Sequence, residues 1–142
     1  MTRINVLPVE SLTDQHLMAE YRELPMVMGS AKRSDPDLYI PSIEYTLNGG
    51  HVKFFYNKKE YLIARWTNLI AELRKRGYNI DPESRIVDFT ILDKFPQVSW
   101  MPNDRAFEIN KARIDERISA KPDWYKFYGE PLKKVSKYEN SC

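Results

Sequence analysis

The stretch DQHLMAEYRELPMVM, residues 14–28, decides the first part of the fold. Its apolar residues recur at helical spacing and form one stripe: Leu17, Tyr21, Leu24 and Met28. Ser11 followed by Asp14 resembles a capping box, so we expect a helix to begin there. Pro25 has no backbone N–H, and it must kink this helix or end its regular part near Leu24.

The same helix carries a polar stripe. At about 100° per residue, His16, Glu20 and Glu23 fall within about 60° of one another and well away from the apolar stripe. An imidazole and two carboxylates on one face suit acid–base catalysis, but an ordinary solvated helix face has the same pattern. His16 and His51 share no metal-ligand spacing, so the sequence does not favour a metal site.

Two further helices follow along the chain. One runs from about Lys58 to Arg76, with Gly77 as a C-cap candidate. Its inner face consists of Leu62, Trp66, Leu69, Ile70 and Leu73. Asn103 caps the other, which runs to about Ser119 and is ended by Pro122. Its apolar line consists of Phe107, Ile114 and Ile118.

The connections between these helices are long. Ser34-Asp35-Pro36 is a stop signal, and residues 35–57 are expected to form a loop with extended pieces. Residues 86–92 (IVDFTIL) are compatible with a strand, but helix or loop is favoured because no partner strand is obvious. We therefore predict a mainly α, single compact domain over residues 1–142, with three principal helices and a partly disordered tail after Gly129.

Composition limits the class of protein. The chain has 142 residues, 42% hydrophobic and 30% charged, with a formal net charge of only +2. A single cysteine, Cys142, excludes an intramolecular disulfide framework and a multi-cysteine zinc site, as expected for an intracellular protein. No apolar run approaches the roughly 20 residues of a membrane span.

Charge is unevenly distributed. Lys53 to Arg76 holds seven Lys or Arg against two acids, whereas Ile80 to Asp104 holds two against five. A basic element beside an acidic one is compatible with a DNA-facing side, and equally with a solvated helix face.

Two features of the C-terminal part suit nucleic acid. Arg113 and Arg117 are one helical turn apart with Lys121 just beyond, a spacing that fits adjacent phosphates or intrahelical pairing with Glu108, Asp115 or Glu116. Residues 124–129 (WYKFYG) interleave aromatics with a lysine, which suits base stacking or an aromatic lid over the core.

At this point the chain resembles a known family, the bacteriophage pyrimidine-dimer DNA glycosylase/AP lyases, also called phage-type endonuclease V. The runs that carry the resemblance are Met1-Thr2-Arg3-Ile4-Asn5, residues 14–25 (DQHLMAEYRELP), Gly50-His51-Val52, Phe54-Phe55-Tyr56, and Trp124-Tyr125-Lys126 with Gly129. The twelve-residue run around Glu23 is the most specific of these. The resemblance is weakest over residues 34–48 and 79–102.

The resemblance implies a mainly helical fold and a DNA-repair enzyme that needs no metal or organic cofactor. It implies that the α-amine of Thr2, exposed by removal of Met1, is the nucleophile and that Glu23 is the essential carboxylate. The implied DNA contacts are Arg3, Arg22, Arg33, Arg113 and Arg117, and we add His16, Lys121, Trp124, Tyr125 and Lys126 as candidates. The expected partner is duplex DNA with pyrimidine dimers or abasic sites, bound by a monomer inside the cell, the host cytoplasm if a phage encodes it.

One residue departs from the family pattern. The family has an arginine directly after the Leu-Pro pair, where this chain has Met26. The departure leaves two other functions open: a lesion-recognising module without catalysis, and a related glycosylase for another damaged base.

Overall fold

The helix expected over residues 14–28 is two helices in the computed structural model, which describes residues 4–81 and 85–134. α1 spans Asp14–Glu23 and α2 spans Met26–Lys32. Pro25 lies between them, so the predicted interruption is confirmed. The predicted capping box is wrong: the N-cap is Thr13, whose side chain accepts from the backbone N–H of His16, while Ser11 ends a 3-10 turn and donates to Pro8.

The two longer helices follow the sequence pattern closely. α4 spans Lys59–Lys75, and the left-handed backbone of Gly77 (φ +95°) follows its end. α5 spans Asp104–Ala120, and the Asn103 side chain accepts from the Ala106 N–H at 2.9 Å. Both predicted caps are therefore confirmed.

The connections contain more regular structure than predicted. The expected loop over residues 35–57 holds a 3-10 turn at Pro36–Leu38, the short helix α3 at His51–Phe54, and a second 3-10 turn at Phe55–Asn57. Three buried aromatics, Phe54, Phe55 and Tyr56, hold this segment in the core, and it is too short to show helical periodicity. Within residues 86–92, the favoured alternative of helix or loop is confirmed, because Phe89–Lys94 is a 3-10 helix.

The C-terminal segment folds into a small hairpin. β1 (Lys126–Phe127) pairs antiparallel with β2 (Glu130–Pro131). Tyr128 (φ +52°) and Gly129 (φ +77°) form its two-residue turn, in which positive φ at both positions matches the twist of the strands. Residues 130–134 of the predicted tail thus form β2 and a 3-10 turn, and residues 135–142 lie outside the described residues.

The core lies between α1, α2 and α4, with the 3-10 helix at 89–94 packed against α2 and α4. Leu17 of α1 and Leu62, Leu69 and Leu73 of α4 are fully buried, and Tyr21 stacks on Trp66 with ring centroids 5.0 Å apart. The fold is mainly helical, as predicted. Within the described ranges, no helix is both long enough and apolar enough to span a bilayer.

Candidate active site

A cleft of about 260 Å³ opens beside α1, on the side that carries the polar stripe. Four elements line it: α1 itself, the extended segment before α1, the C-terminal end of α5, and the start of the C-terminal segment. The lining residues are Asn5, Gln15, His16, Ala19, Glu20, Glu23, Arg117, Trp124 and Tyr125. Five of the predicted site residues are among them, namely His16, Glu23, Arg117, Trp124 and Tyr125.

Glu20 forms the base of this cleft and is committed to a buried ion pair. Arg65 of α4 donates from Nε to Glu20 Oε2 at 2.6 Å and from Nη2 to Oε1 at 2.9 Å. Burial alone would lower the pKa of Arg65, but the Glu20 carboxylate outweighs it and raises that pKa. The Asn5 amide donates a third hydrogen bond to Glu20 Oε1, at 2.9 Å. The acid–base interpretation of the polar stripe is therefore wrong for Glu20, which is a structural carboxylate.

His16 is held rigidly against the C-terminal segment. Its ring stacks on Tyr125 with centroids 4.7 Å apart and an angle of 5° between the planes. Its Nδ1 lies 2.6 Å from Thr13 Oγ1, the side chain that caps α1. Both contacts fix the ring orientation, and only 8% of the residue is exposed. His16 therefore presents one ring edge to the cleft instead of a mobile side chain.

Glu23 lies at the last turn of α1 and is half-buried in the cleft wall. It is one turn beyond Glu20, so the helix places one carboxylate in the buried base and the next toward the opening. This position suits a carboxylate that meets a bound ligand.

The C-terminal wall of the cleft is attached to the first turn of α1. Gln15 donates from Nε2 to the Trp124 carbonyl at 3.1 Å and accepts from the Lys126 N–H at 2.9 Å. Asp14 accepts from the backbone N–H groups of Tyr128 at 3.0 Å and Gly129 at 2.8 Å. Trp124 is left 58% exposed at the cleft edge. An exposed aromatic on a fixed backbone suits stacking against a base.

A cluster of charged side chains around Arg76 stabilises this attachment. Arg76 donates to Asp14 at 3.0 Å and to Glu72 at 2.8 Å, and the Tyr128 hydroxyl donates to Glu72 at 2.6 Å. Burial alone would raise the pKa of Glu72, but the hydrogen bonds from Tyr128 and Arg76 outweigh burial and lower that pKa. The guanidinium also lies 4.8 Å from the Phe127 ring centroid.

The basic segment Lys53 to Arg76 uses much of its charge inside the protein. Arg65 and Arg76 are bound by carboxylates, and Lys58 is only 4% exposed. Lys59 forms a surface ion pair with Asp93 of the acidic segment, at 2.7 Å. Four of the seven basic residues thus have partners or are buried, and contact of the segment with DNA stays a prediction.

The predicted phosphate-binding residues of α5 differ in their surroundings. Arg117 is exposed and lines the cleft. Arg113 lies 3.4 Å from Asn48 Oδ1 and makes a long contact of 4.0 Å with Glu116. Lys121 is exposed, with its ammonium 6.0 Å from the Trp124 ring centroid. Arg113 and Arg117 on α5, and Lys121 directly after it, follow one another toward Trp124. Contact of these three residues with phosphates stays a prediction.

The other predicted site residues are either not among the described residues that line the cleft or lie outside the described residues. Arg22 and Arg33 are exposed at the ends of α1 and α2, and neither is among the described residues that line the cleft. Lys126 is half-buried in β1. Thr2 and Arg3 lie outside the described residues.

The sequence argument missed several residues of the site. Asn5 and Gln15 line the cleft and lie within the runs that carry the resemblance, so a signal for them existed. Arg65 carried none, because only the fold brings it to Glu20, 45 residues away in the chain. Across the described ranges, no group of three His, Cys, Asp or Glu side chains is arranged to hold a metal ion.

Comparison with known families assigns the first part of the chain to one of them. Residues 1–85 match the family model described as pyrimidine dimer DNA glycosylase. The matched region contains α1, with His16 and Glu23, and the Glu20–Arg65 base of the cleft.

Proposed function

Because the chain belongs to the pyrimidine dimer DNA glycosylase family, we propose that it cleaves the N-glycosidic bond at cyclobutane pyrimidine dimers in duplex DNA and then nicks the strand by β-elimination. The nucleophile in this proposal is the α-amine of Thr2. The observation that supports it most is that Asn5 and Glu23 line one cleft. Three residues of extended chain span at most about 11 Å, so in this proposal the Thr2 amine reaches the cleft from Asn5.

An α-amine suits this chemistry because the attacking nitrogen must be neutral. With a reference pKa near 7.8, roughly a quarter of α-amines are neutral at pH 7.4, against about 0.1% of ordinary lysines. Lys58 is an exception, since burial lowers its pKa to about 8. Its ammonium nevertheless packs 4.1 Å from the Phe54 ring centroid and donates to the Phe54 carbonyl, so it is no alternative nucleophile for DNA.

The proposed reaction proceeds in two linked steps. The Thr2 nitrogen attacks C1′ of the deoxyribose, the glycosidic bond breaks, and the amine proton passes to the departing base nitrogen, while the cyclobutane ring keeps that base joined to its neighbour. The ring oxygen O4′ then takes a proton from solvent as the sugar opens, which yields a protonated Schiff base at C1′. Glu23 stabilises the developing positive charge and assists the proton transfers. Loss of a C2′ proton then expels the 3′ phosphate, and hydrolysis of the Schiff base frees the amine.

The same cleft supports a proposed DNA contact surface. Arg113, Arg117 and Lys121 follow α5 toward the exposed Trp124, so phosphates along a strand would meet successive cations beside an aromatic side chain. Attack at C1′ in a duplex requires local opening, and a nucleotide extruded from the helix would be received at this surface.

The test begins with the wild-type chain and two duplexes, one UV-irradiated and one abasic, scored for nicking in EDTA. Borohydride should trap a covalent protein–DNA adduct on the abasic duplex, and peptide mapping should locate it on the Thr2 nitrogen. A matched form with one extra residue before Thr2 moves the amine by about 3.8 Å. It should bind DNA but lose trapping and nicking together, because a misplacement of about 1 Å can cost 100-fold.

The outcomes separate the competing functions. Binding without nicking of either duplex would indicate a lesion-recognising module. Nicking of abasic but not UV-irradiated DNA would indicate a glycosylase for another base. An adduct on a lysine, or full activity of the extended form, would refute the assigned nucleophile.

A further inference from the structure

The segment that leads to Thr2 has an unusual set of hydrogen bonds. Residues 4–7 are extended, and side chains from four different parts of the chain satisfy their backbone groups. The donors and acceptors are His51 for the Ile4 N–H (2.7 Å), Tyr45 for the Ile4 carbonyl (2.8 Å), Tyr61 for the Asn5 carbonyl (2.9 Å), Asn110 for the Val6 and Leu7 N–H groups (2.7 and 3.1 Å), and Arg65 for the Leu7 carbonyl (2.6 Å). The segment is thus held at every residue by groups that specify its position.

Among the described residues, His51 makes the contact that lies nearest to Thr2 along the chain. The Ile4 N–H donates to its Nε2, so that nitrogen carries no proton, and Nδ1–H donates to the Thr46 carbonyl at 2.6 Å. The ring is 5% exposed and packs edge-on against Tyr45 and Phe55. Its tautomer and orientation are therefore both fixed, and the Ile4 nitrogen is fixed with them.

Asn110 connects the same segment to the proposed DNA-binding helix. It is fully buried on α5, and its amide also donates to Asn5 Oδ1 at 2.8 Å. Arg113 and Arg117 lie one and two turns further along the same helix.

We propose that His51, Tyr45 and Asn110 are positioning residues for the reaction, which hold residues 4–7 so that the Thr2 amine is confined to the cleft beside Glu23. This inference rests on the proposed function. None of the three contacts DNA in the proposal; each acts through the backbone of the N-terminal segment.

The expected fall in reaction rate follows from the length of chain between the Thr2 amine and the first residue that is held in place. With the Ile4 nitrogen fixed, two residues allow the amine to move at most about 7 Å. If Ile4 is released and the chain is held first at Asn5 or at Val6, three or four residues allow about 10–14 Å. The accessible volume then grows roughly three- to eightfold, and the local concentration of amine at the sugar falls by the same factor. The rate of the chemical step should fall accordingly.

Two substitutions of His51 separate positioning from general stability. A glutamine side chain reaches as far as histidine Nε2 and retains an acceptor for the Ile4 N–H, whereas asparagine reaches only the position of Nδ1, which contacts Thr46. His51→Asn should slow single-turnover nicking of abasic duplex at saturating protein about threefold or more, with unchanged DNA affinity. His51→Gln should retain most of the wild-type rate, although both variants lose one native contact.

A second pair controls for loss of a buried hydroxyl. Tyr45→Phe removes the donor to the Ile4 carbonyl, while Tyr56→Phe removes a hydroxyl that bonds Ser30 and Ser34 instead of residues 4–7. Because His51 still holds the Ile4 N–H in Tyr45→Phe, this variant should slow the chemical step by less than threefold, whereas Tyr56→Phe should leave the rate unaltered. Combining Tyr45→Phe with His51→Asn releases both backbone groups of Ile4 and should bring the loss to roughly eightfold. If His51→Asn does not fold, the tyrosine pair decides alone.

The inference is overturned if the saturating rates of His51→Asn and Tyr45→Phe equal that of wild type, or if Tyr56→Phe slows the reaction as much as Tyr45→Phe. Adduct mapping keeps this result separate from the proposed function. A wild-type adduct on Thr2 with unaltered rates in the variants removes only the positioning role. A wild-type adduct elsewhere removes the nucleophile, and the positioning role with it.

Discussion

The carboxylates of α1 carry their charge in different surroundings. Asp14 and Glu20 are almost completely buried and are paired with Arg76 and Arg65. Glu23 lies one turn beyond Glu20, is half-buried, and lines the cleft together with His16 and Arg117. A buried ion pair fixes the helix, whereas a carboxylate in the wall of a cleft can meet a bound ligand. One short helix thus carries structural carboxylates and a candidate functional one.

The largest expected effect comes from substitution of Glu23, the half-buried carboxylate of the cleft wall. Glu23→Gln keeps the size and hydrogen-bonding capacity of the side chain but removes its charge. Glycosidic bond cleavage and nicking should both fall at least about 1,000-fold, since removal of one charge-stabilising group commonly costs 100- to 1,000-fold and this group also assists proton transfer. Single-turnover assays on dimer-containing and abasic duplexes measure this.

The control for Glu23→Gln is stability and binding. Because Glu23 is half-buried at the cleft and not in the core, the variant should melt near the wild-type temperature and bind DNA normally. A wild-type rate of glycosidic bond cleavage by Glu23→Gln would show that the carboxylate has no part in the chemistry.

The neighbouring carboxylate should give the opposite result. Glu20→Gln leaves the Arg65 charge buried without its counter-charge, which costs about 3–5 kcal/mol. Denaturant unfolding should report this loss, while activity measured well below the melting temperature stays within a few-fold of wild type. In a cycle with Arg65→Met, the double variant should be less destabilised than the sum of the single variants. Strict additivity would mean that the pair is not coupled.

The contrast between Glu20 and Glu23 also defines what the sequence could predict. Helical periodicity predicted α1, α4 and α5, and residue type predicted the effect of Pro25 and the caps Asn103 and Gly77. Periodicity placed Glu20 and Glu23 on one polar stripe, because it gives the direction of a side chain around its own helix and not the residues that pack against it. The difference between them comes from Arg65, which the fold brings to only one of them.

The elements that the sequence did not reveal are short and depend on tertiary contacts. α3 has four residues, fewer than any periodic pattern needs, and is held by the buried Phe54. The C-terminal hairpin has two residues per strand and is attached through Asp14, which accepts from its turn. The contact between Asp14 and Tyr128 joins residues 114 positions apart, so local sequence carries no trace of it.

The α5 cations extend the comparison beyond α1. Replacing Arg113 and Arg117 by Gln should weaken binding to all duplexes alike and reduce the slope of log K against log salt by up to about 2 units, because each phosphate contact contributes about 0.9. Fluorescence anisotropy across a salt series measures the slope. The paired control is Lys111→Gln, since Lys111 is occupied by Asp115 at 2.6 Å and should alter the slope less. An unaltered slope in the double variant would assign the arginines to intrahelical pairs.

Lys58 is a buried charge that extends the comparison to stability. Its ammonium donates to the Phe54 carbonyl and the Asn57 side chain, and both of these groups are uncharged. Burial lowers its pKa from 10.5 to about 8, so the folded state binds this proton less tightly than the unfolded state. Burial of this charge therefore lowers the free energy of unfolding by its full amount below about pH 8, by less as the pH rises toward 10.5, and not at all above it.

Lys58→Met should therefore stabilise the protein at pH 7 by about 1 kcal/mol, or roughly 3–5 °C in Tm. The advantage over wild type should diminish between pH 8 and 10.5. Thermal melts of both proteins across this range measure it. A constant difference would mean that packing, and not the charge, accounts for the change.

The smallest expected effect concerns Met26, which stands where the family pattern has an arginine. The side chain is 55% exposed in the first turn of α2, so an arginine can be placed there without disturbing the core. A new charge-assisted contact to DNA is worth on the order of 1 kcal/mol, which is about fivefold in Kd. Met26→Arg should tighten binding to dimer-containing duplex by that factor, and Met26→Gln, which adds a polar group without charge, should not. If the arginine acts near the lesion, the gain should be larger on damaged than on undamaged DNA; an equal gain on both would make it a general phosphate contact, and no gain on either would place Met26 outside the DNA interface.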